Sequence, residues 1–292
     1  MRKWLLRLRT LLAILAALYL LYQFPALSRW FTKPSAPEPP SSSIEMVRVW
    51  LLEDWSGSAM QWVSRQATAF EKAHRGVRII LKRAQPGDWA LEGAVLPDVL
   101  LFSGGVLTDP EGLLAPLSPT APVRDFLQGV GDRGGIPYAV PLAYGGRARL
   151  VNEQKPDAPA LTMRSAADYQ AFVAGEAGSL VATVREVRRF AALVAAGKGF
   201  PFHADAYGES TDLLLMAGMI TGAESGAEYA REWIDFLLSD AAQGALAELG
   251  MLPASAAIPA PDIGQQPLLH ALFFQIQSAT NAFDEPVPNE VQ

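Results

Sequence analysis

Between residues 47 and 82 the chain changes its hydrophobic period twice, and that change narrows the folds open to it more than any other feature. Val47-Arg48-Val49-Trp50-Leu51-Leu52 is apolar and β-branched, and reads as a buried strand. Glu53-Asp54-Trp55-Ser56-Gly57-Ser58 follows as a polar turn ending in a good helix N-cap. Ala59, Val63, Ala67 and Phe70 then recur at helical spacing, and Gly76 stops the helix after about His74. Residues 77–82 return to strand. This order predicts a parallel pair joined by a right-handed crossover, and so an α/β fold.

A third strand is predicted at Pro97-Asp98-Val99-Leu100-Leu101-Phe102, with Ser103-Gly104-Gly105 at its end. Open α/β sheets bind ligands beyond the carboxyl ends of their strands. The loops 54–58 and 103–105 are therefore candidate ligand loops. Residues 136–141 and 147–152 look extended, joined through Leu142-Ala143-Tyr144-Gly145-Gly146. Helices are expected at 165–174 and 184–196. Residues 200–212 read as an irregular polar and aromatic segment, and 211–220 as apolar. An amphipathic helix is expected at 224–238, a further one from Ser239 to the stop at Gly250, and a last one at 265–283.

The N-terminus reads as an address. Arg2, Lys3, Arg7 and Arg9 precede an apolar run at residues 11–21, extended by Tyr22 and Phe24. Cations stay on the cytoplasmic side while the apolar run enters the bilayer. Two readings stand: a signal peptide cut after Ser28, or an uncleaved transmembrane signal anchor. Pro25 and the aromatics around it make a poor cleavage site, which favours the anchor. Either way the remainder is exported, and the expected location is the cell membrane with the folded part on the extracytoplasmic side. Residues 32–43, TKPSAPEPPSSS, form a semi-extended spacer, because proline lacks an N–H and fixes φ.

Half of the 292 residues are hydrophobic and 18% are charged, enough apolar content for a sizeable core. The formal charge is −6, although four cations are gathered in the first nine residues. An acidic domain without a basic patch argues against nucleic acid as a partner. The absence of cysteine excludes disulfides, thiolate metal sites and a cysteine nucleophile. Gly104-Gly105 and Gly145-Gly146 fit no phosphate-loop pattern, and Gly208-Glu209-Ser210 lacks the closing glycine of a nucleophile elbow. Nothing nominates a catalytic constellation, so no enzyme activity and no cofactor are expected. His203, Asp205, Glu209 and Asp212 lie close in sequence but have no recognised metal-ligand spacing.

Four segments carry a resemblance. They are Phe70-Glu71-Lys72 through Gly76-Val77-Arg78-Ile79; Pro97-Asp98-Val99; Ile136-Pro137-Tyr138 with Val140-Pro141 through Asn152; and Phe236-Leu237-Leu238-Ser239-Asp240, Gln243 and Gly250-Met251-Leu252-Pro253-Ala254. Their order and rough spacing resemble the family 1 extracellular solute-binding proteins of ABC transporters over most of residues 46–256. The resemblance implies a periplasmic-binding-protein-like type II fold, with a parallel or mixed sheet lobe and a second lobe. Family members run longer, and the shortfall lies between Asn152 and Glu224, so the second lobe is expected to be reduced. The expected organisation is a transmembrane segment at 1–31, a linker at 32–43, a binding domain at 44–284 and a loose tail at 285–292. Lobe 1 takes about 44–150 and 224–284, and lobe 2 about 151–223.

The implied function is binding of a carbohydrate or other small polar solute between the lobes and its delivery to a permease. The alternative is a non-binding descendant acting as scaffold or regulatory partner of a transporter complex. The candidate ligand contacts are Trp55, Ser56, Trp89, Ser103, Gly104, Tyr138, Tyr144, Asn152, Tyr207 and Glu209. The aromatics suit the C–H faces of sugars but equally suit core packing. Asp54, Ser56 and Ser58 stand before a helix N-terminus that can bind an anion, or Ser56 or Ser58 simply caps the helix. Asn152 serves a turn equally well.

Overall fold

The computed structural model describes residue 12 and residues 44–52, 54–85, 88, 95–117, 120–222 and 227–284. Strand β1 (Glu45–Leu52) is buried on both faces. Val47, Val49 and Leu51 join one core, Trp50 and Leu52 the other. Period-2 alternation sends successive side chains to opposite faces, so a strand covered on both sides reads as a continuous apolar run. Helix α1 (Ala59–Ala73) buries Ala59, Trp62, Val63, Ala67 and Phe70 against the first core. Strand β2 (Val77–Ala84) then pairs parallel with β1. Strand β3 (Val99–Ser103) pairs parallel on the other side of β1 and is buried throughout.

Three short strands follow, β4 (Leu114–Ala115), β5 (Asp132–Arg133) and β6 (Ile136–Pro137). Strand β7 (Val140–Tyr144) is again buried throughout. The chain then leaves for a second sheet made of β8 (Arg147–Asn152), β9 (Ala160–Thr162), β10 (Ser179–Thr183) and β11 (Phe202–Tyr207), in the order β11-β8-β10-β9. Helices α2 (Ala166–Val173) and α3 (Val184–Ala195) supply Tyr169, Phe172, Val187 and Phe190 to its one core. After β12 (Ser210–Thr211), strand β13 (Leu214–Ile220) returns to the first sheet, antiparallel between β3 and β7. Helices α4 (Ala227–Leu237) and α5 (Asp240–Gln243) cover that sheet, and β14 (Leu252–Pro253) closes its edge on β7. The first sheet thus runs β14-β7-β13-β3-β1-β2, with β4 beside β13. Helix α6 (Pro267–Gln275) and β15 (Ser278–Ala279), which pairs with β12, are the last described elements.

The residues that carry the resemblance are structural. Phe70 is fully buried between Trp233 and Phe236. The carboxylate of Asp98 accepts the Arg48 backbone N–H at 2.7 Å, tying β3's approach to β1. Gln243, fully buried, donates to the carbonyls of Leu142 and Leu237 and accepts from the Ser255 N–H, joining β7, α4 and the chain after β14. Gly250 takes φ 82°, where a side chain would be strained.

Several expectations need correction. Residues 202–207 form a regular strand rather than an irregular segment; alternate residues are half-buried and exposed, which hides the strand from an apolar-run criterion. Residues 214–220 belong to the first sheet, so the second sheet and its helices span 147–207 rather than 151–223. The last helix stops at Gln275, because Ser278 and Ala279 pair with β12. The predicted transmembrane segment (except Leu12), the linker and the tail at 285–292 lie outside the described residues. Among the described residues no helix is long and apolar enough to cross a membrane.

Candidate functional site

Strands β1, β3 and β7 share one direction, and β13 enters between β3 and β7 against them. Three strand ends and one strand start therefore open on the same edge. A pocket of about 380 Å³ sits there, lined by Asp54, Trp55, Ser103, Gly104, Asp212 and Leu213. It also adjoins the two places where the chain passes between the sheets: Gly145-Gly146 going out, Asp212-Leu213 coming back.

The glycine pair is required by what lies over it. A methyl on Gly145 would stand 2.5 Å from Cη2 and Cζ3 of Trp55. A methyl on Gly146 would stand 2.6 Å from Leu272 of α6 and 2.9 Å from Ile276. The outgoing crossing is thus pressed between the tryptophan ring and the last helix. Immediately beyond it, Arg147 clasps Asp212 on the returning crossing with two hydrogen bonds of 2.7 and 3.0 Å. Paired bonds of this kind fix orientation as well as distance. Ser103 is 6% exposed, and its hydroxyl has no protein partner. Such an unpaired polar atom costs about 1–3 kcal/mol, so a polar group arriving beside it is favoured.

The turn before α1 is closed by one carboxylate. Oδ1 of Asp54 accepts the N–H of Ser56 at 3.1 Å, the N–H of Gly57 at 2.8 Å and the Ser56 hydroxyl at 2.7 Å. Oδ2 accepts the Ala59 N–H at 2.9 Å, and the Ser58 N–H goes to Ser56 Oγ at 3.0 Å. Ser58 holds the N-cap position without a side-chain capping bond. The cap expected from Ser56 or Ser58 is therefore supplied by Asp54, whose longer side chain reaches back over the turn.

The second-sheet side meets this turn through α3. Arg185 lies so close that a methyl on Gly57 would stand 2.9 Å from its Nε. Arg188 donates to the carbonyls of Glu248 and Ala247 at 2.9 and 3.2 Å, and burial pushes its pKa down. Between them Glu186 is buried, accepting the Thr183 hydroxyl at the start of α3.

Of the predicted contacts, the structure brings Trp55, Ser103 and Gly104 together, with Ser56 buried in the turn beside them. The others lie elsewhere. Tyr138 and Tyr144 belong to the second core of the first sheet; Tyr144 packs edge-on against Phe126, and burial raises its pKa to about 12. Asn152 is buried in a turn, its Oδ1 accepting the N–H groups of Gln154 and Lys155. Tyr207 lies on the outer face of the second sheet under Arg149, and Glu209 is exposed. Trp89 lies outside the described residues. Asp54, in the candidate ligand loop 54–58, lines the pocket, as does Asp212, which the sequence offered only in an acidic and histidine cluster; Leu213 was missed, as was Arg147 beside it. No local signal marks Arg147 and Asp212 as partners 65 residues apart.

No protein-family model matches the chain, and no curated protein sequence matches it. Solved structures do. The GacH receptor of Streptomyces glaucescens GLA.O, determined unliganded and with acarbose and an acarbose homolog, superposes with TM-score 0.59 at 13% identity, covering 80% of this chain and 87% of that one. The cyclic alpha-maltosyl-1,6-maltose binding protein from Arthrobacter globiformis gives 0.61 at 15% identity over 80% and 87%. This chain has the type II periplasmic-binding-protein-like fold. Iron-bound HitA from Pseudomonas aeruginosa shares that type II fold at TM-score 0.51 and 15% identity, over 74% and 89%. All three neighbours are binding proteins. HitA holds iron; among the described residues here, no group of three or more His, Asp or Glu is placed to hold a metal. His203 instead lies 3.3 Å from Glu153 and 3.6 Å from Asp205 on the outer face of the second sheet, away from Asp212.

Proposed function

We propose that this chain is an extracytoplasmic solute-binding protein, held at the cell membrane by its N-terminal apolar segment, that binds a carbohydrate or other small polar solute and delivers it to an ABC permease. The observation that carries this reading is the pocket at the ends of β1 and β3. A partly exposed tryptophan and a buried hydroxyl without a protein partner stand there beside both chain crossings. An apolar ring face with a few convergent polar groups suits a sugar. The two sugar-related neighbours and the cation-led apolar N-terminus support it.

A thermal-shift screen against sugars, oligosaccharides, polyols, amino acids and metal ions tests the reading. A solute at a hundred times its Kd adds about 2.7 kcal/mol to stability, a visible rise in Tm. The rise should vanish in Trp55→Ala. A folded protein that responds to nothing in the panel would count against the receptor.

A second reading, a non-binding scaffold of a transporter complex, is favoured by one observation. Among the described residues, only the returning crossing lines the pocket from the second-sheet side, and Arg185 already rests on Gly57. Co-purification of a membrane complex without solute response would support it.

A further inference from the structure

The turn before α1 presents the N–H groups of four successive residues, 56–59, toward one point. Backbone amides converging at a helix N-terminus, with the helix dipole behind them, make an anion site. Here the chain occupies that site with its own carboxylate. Asp54 takes three of the four N–H groups directly and the fourth through the Ser56 hydroxyl it holds. The remaining carboxylate of the pocket, Asp212, is clasped by Arg147. Both charged groups lining the pocket, Asp54 and Asp212, are thus matched within the chain, while the buried polar atom of the lining without a protein partner, Ser103 Oγ, is uncharged.

We propose that Asp54 determines specificity as a built-in anion: it fills the amide nest of α1, so the pocket rejects carboxylate, phosphate and sulfate solutes and admits uncharged, hydroxyl-bearing ones. The inference rests on the receptor reading for its meaning, but not for its test. An incoming anion would have to displace Asp54 from four hydrogen bonds or sit beside its charge in a partly desolvated site, where like charges repel strongly. An uncharged polyol meets neither obstacle.

The experiment compares inorganic phosphate binding to the full-length protein and its Asp54→Ser variant, in detergent, by isothermal titration at matched ionic strength. The serine vacates the nest and removes the charge, so the variant should bind phosphate at least tenfold more tightly than the wild type. Equal binding by the two, or no phosphate binding by a folded variant, overturns the proposal. So does tight phosphate binding by the wild type, which would leave the receptor reading intact. If the serine variant does not fold, Asp54→Asn keeps an oxygen in the nest without the charge. Its phosphate affinity must then exceed the wild type's at least threefold, and equality overturns the proposal. Failure of every neutral solute in the thermal-shift screen bears on the receptor reading alone.

Discussion

The two sheets of this protein obey different burial rules. The first is covered on both faces, with Val99, Leu101 and Leu215 in one core and Leu100, Phe102 and Leu214 in the other. The second has a single core under α2 and α3, and its other face carries Arg149, His203, Asp205 and Tyr207. The pocket lies on the two-sided sheet, and from the side of the one-sided sheet only the returning crossing lines it, while Arg185 of α3 rests on Gly57 nearby. A sheet locked from both sides can hold strand ends in register for a ligand. A sheet locked from one side has a face left for water or for another surface.

The largest expected effects test that asymmetry directly. Trp62→Ala empties a fully buried site and orphans the Ala242 carbonyl its ring N–H satisfies, and should cost about 3–5 kcal/mol in urea denaturation. Phe190→Ala, which opens the aromatic cluster with Phe172, Phe200 and Phe202, should cost a similar amount. Tyr207→Ala, on the outer face, should cost less than about 1 kcal/mol, the order of its stacking with Arg149. A Tyr207 loss as large as the Phe190 loss would mean that the outer face is covered after all.

Gly145→Ala should have an intermediate effect. Forcing a methyl into the Trp55 ring costs about 1–3 kcal/mol and pushes the ring into the pocket. Tm should fall, and any solute response of the wild type should weaken with it. An unchanged Tm would show that the crossing is looser than its packing implies.

The smallest effects are in pH dependence, and they have opposite signs in the two regions. The backbone N–H groups of Arg164 and Ser165 hold the exposed Asp168 carboxyl below its usual range at the start of α2. A depressed pKa contributes stability above the unfolded value, about 3.9, that is lost as pH falls through the folded value. Burial holds Asp98 above its usual range, against the pull of the Arg48 N–H and charge. Its contribution is present below about pH 3.9 and lost as pH rises through the folded value. Urea midpoints between pH 6 and 3 should therefore fall less steeply in Asp168→Asn and more steeply in Asp98→Asn than in the wild type. Parallel slopes in all three would remove this contrast.

The same asymmetry explains what the sequence disclosed. Residues 47–52, 97–102 and 211–220 stand out as apolar runs because both of their faces are buried, and the structure places strands there. Phe202–Tyr207 alternates half-buried with exposed residues, including His203 and Asp205, and passes for a polar loop. The gathering of Trp55, Ser103 and Gly104 at one sheet edge was legible because they lie at or just past strand ends. Asp212 and Arg147 were not legible as a pair, since only the fold brings the two crossings side by side. Tyr138 and Tyr144 misled for a related reason: an aromatic near a strand end looks alike in sequence whether it faces a ligand or a core. The motifs that carry the resemblance, through Asp98, Gln243 and Gly250, report backbone joinery and therefore the fold rather than the solute.

The path of the chain sets an order of assembly during synthesis. Residues 147–207 emerge as one uninterrupted stretch carrying all four strands of the second sheet and both helices beneath it. The first sheet has to wait, because its inner strand β13 and edge strand β14 come later, at 214–220 and 252–253. Helix α6, whose Leu272 pins Gly146, arrives last of the described helices. Local pairings form faster than distant ones. A polypeptide released before residue 267 would own a finished second sheet and an unclamped crossing, so the stretch from Pro267 to Ile276 decides when the pocket takes its shape.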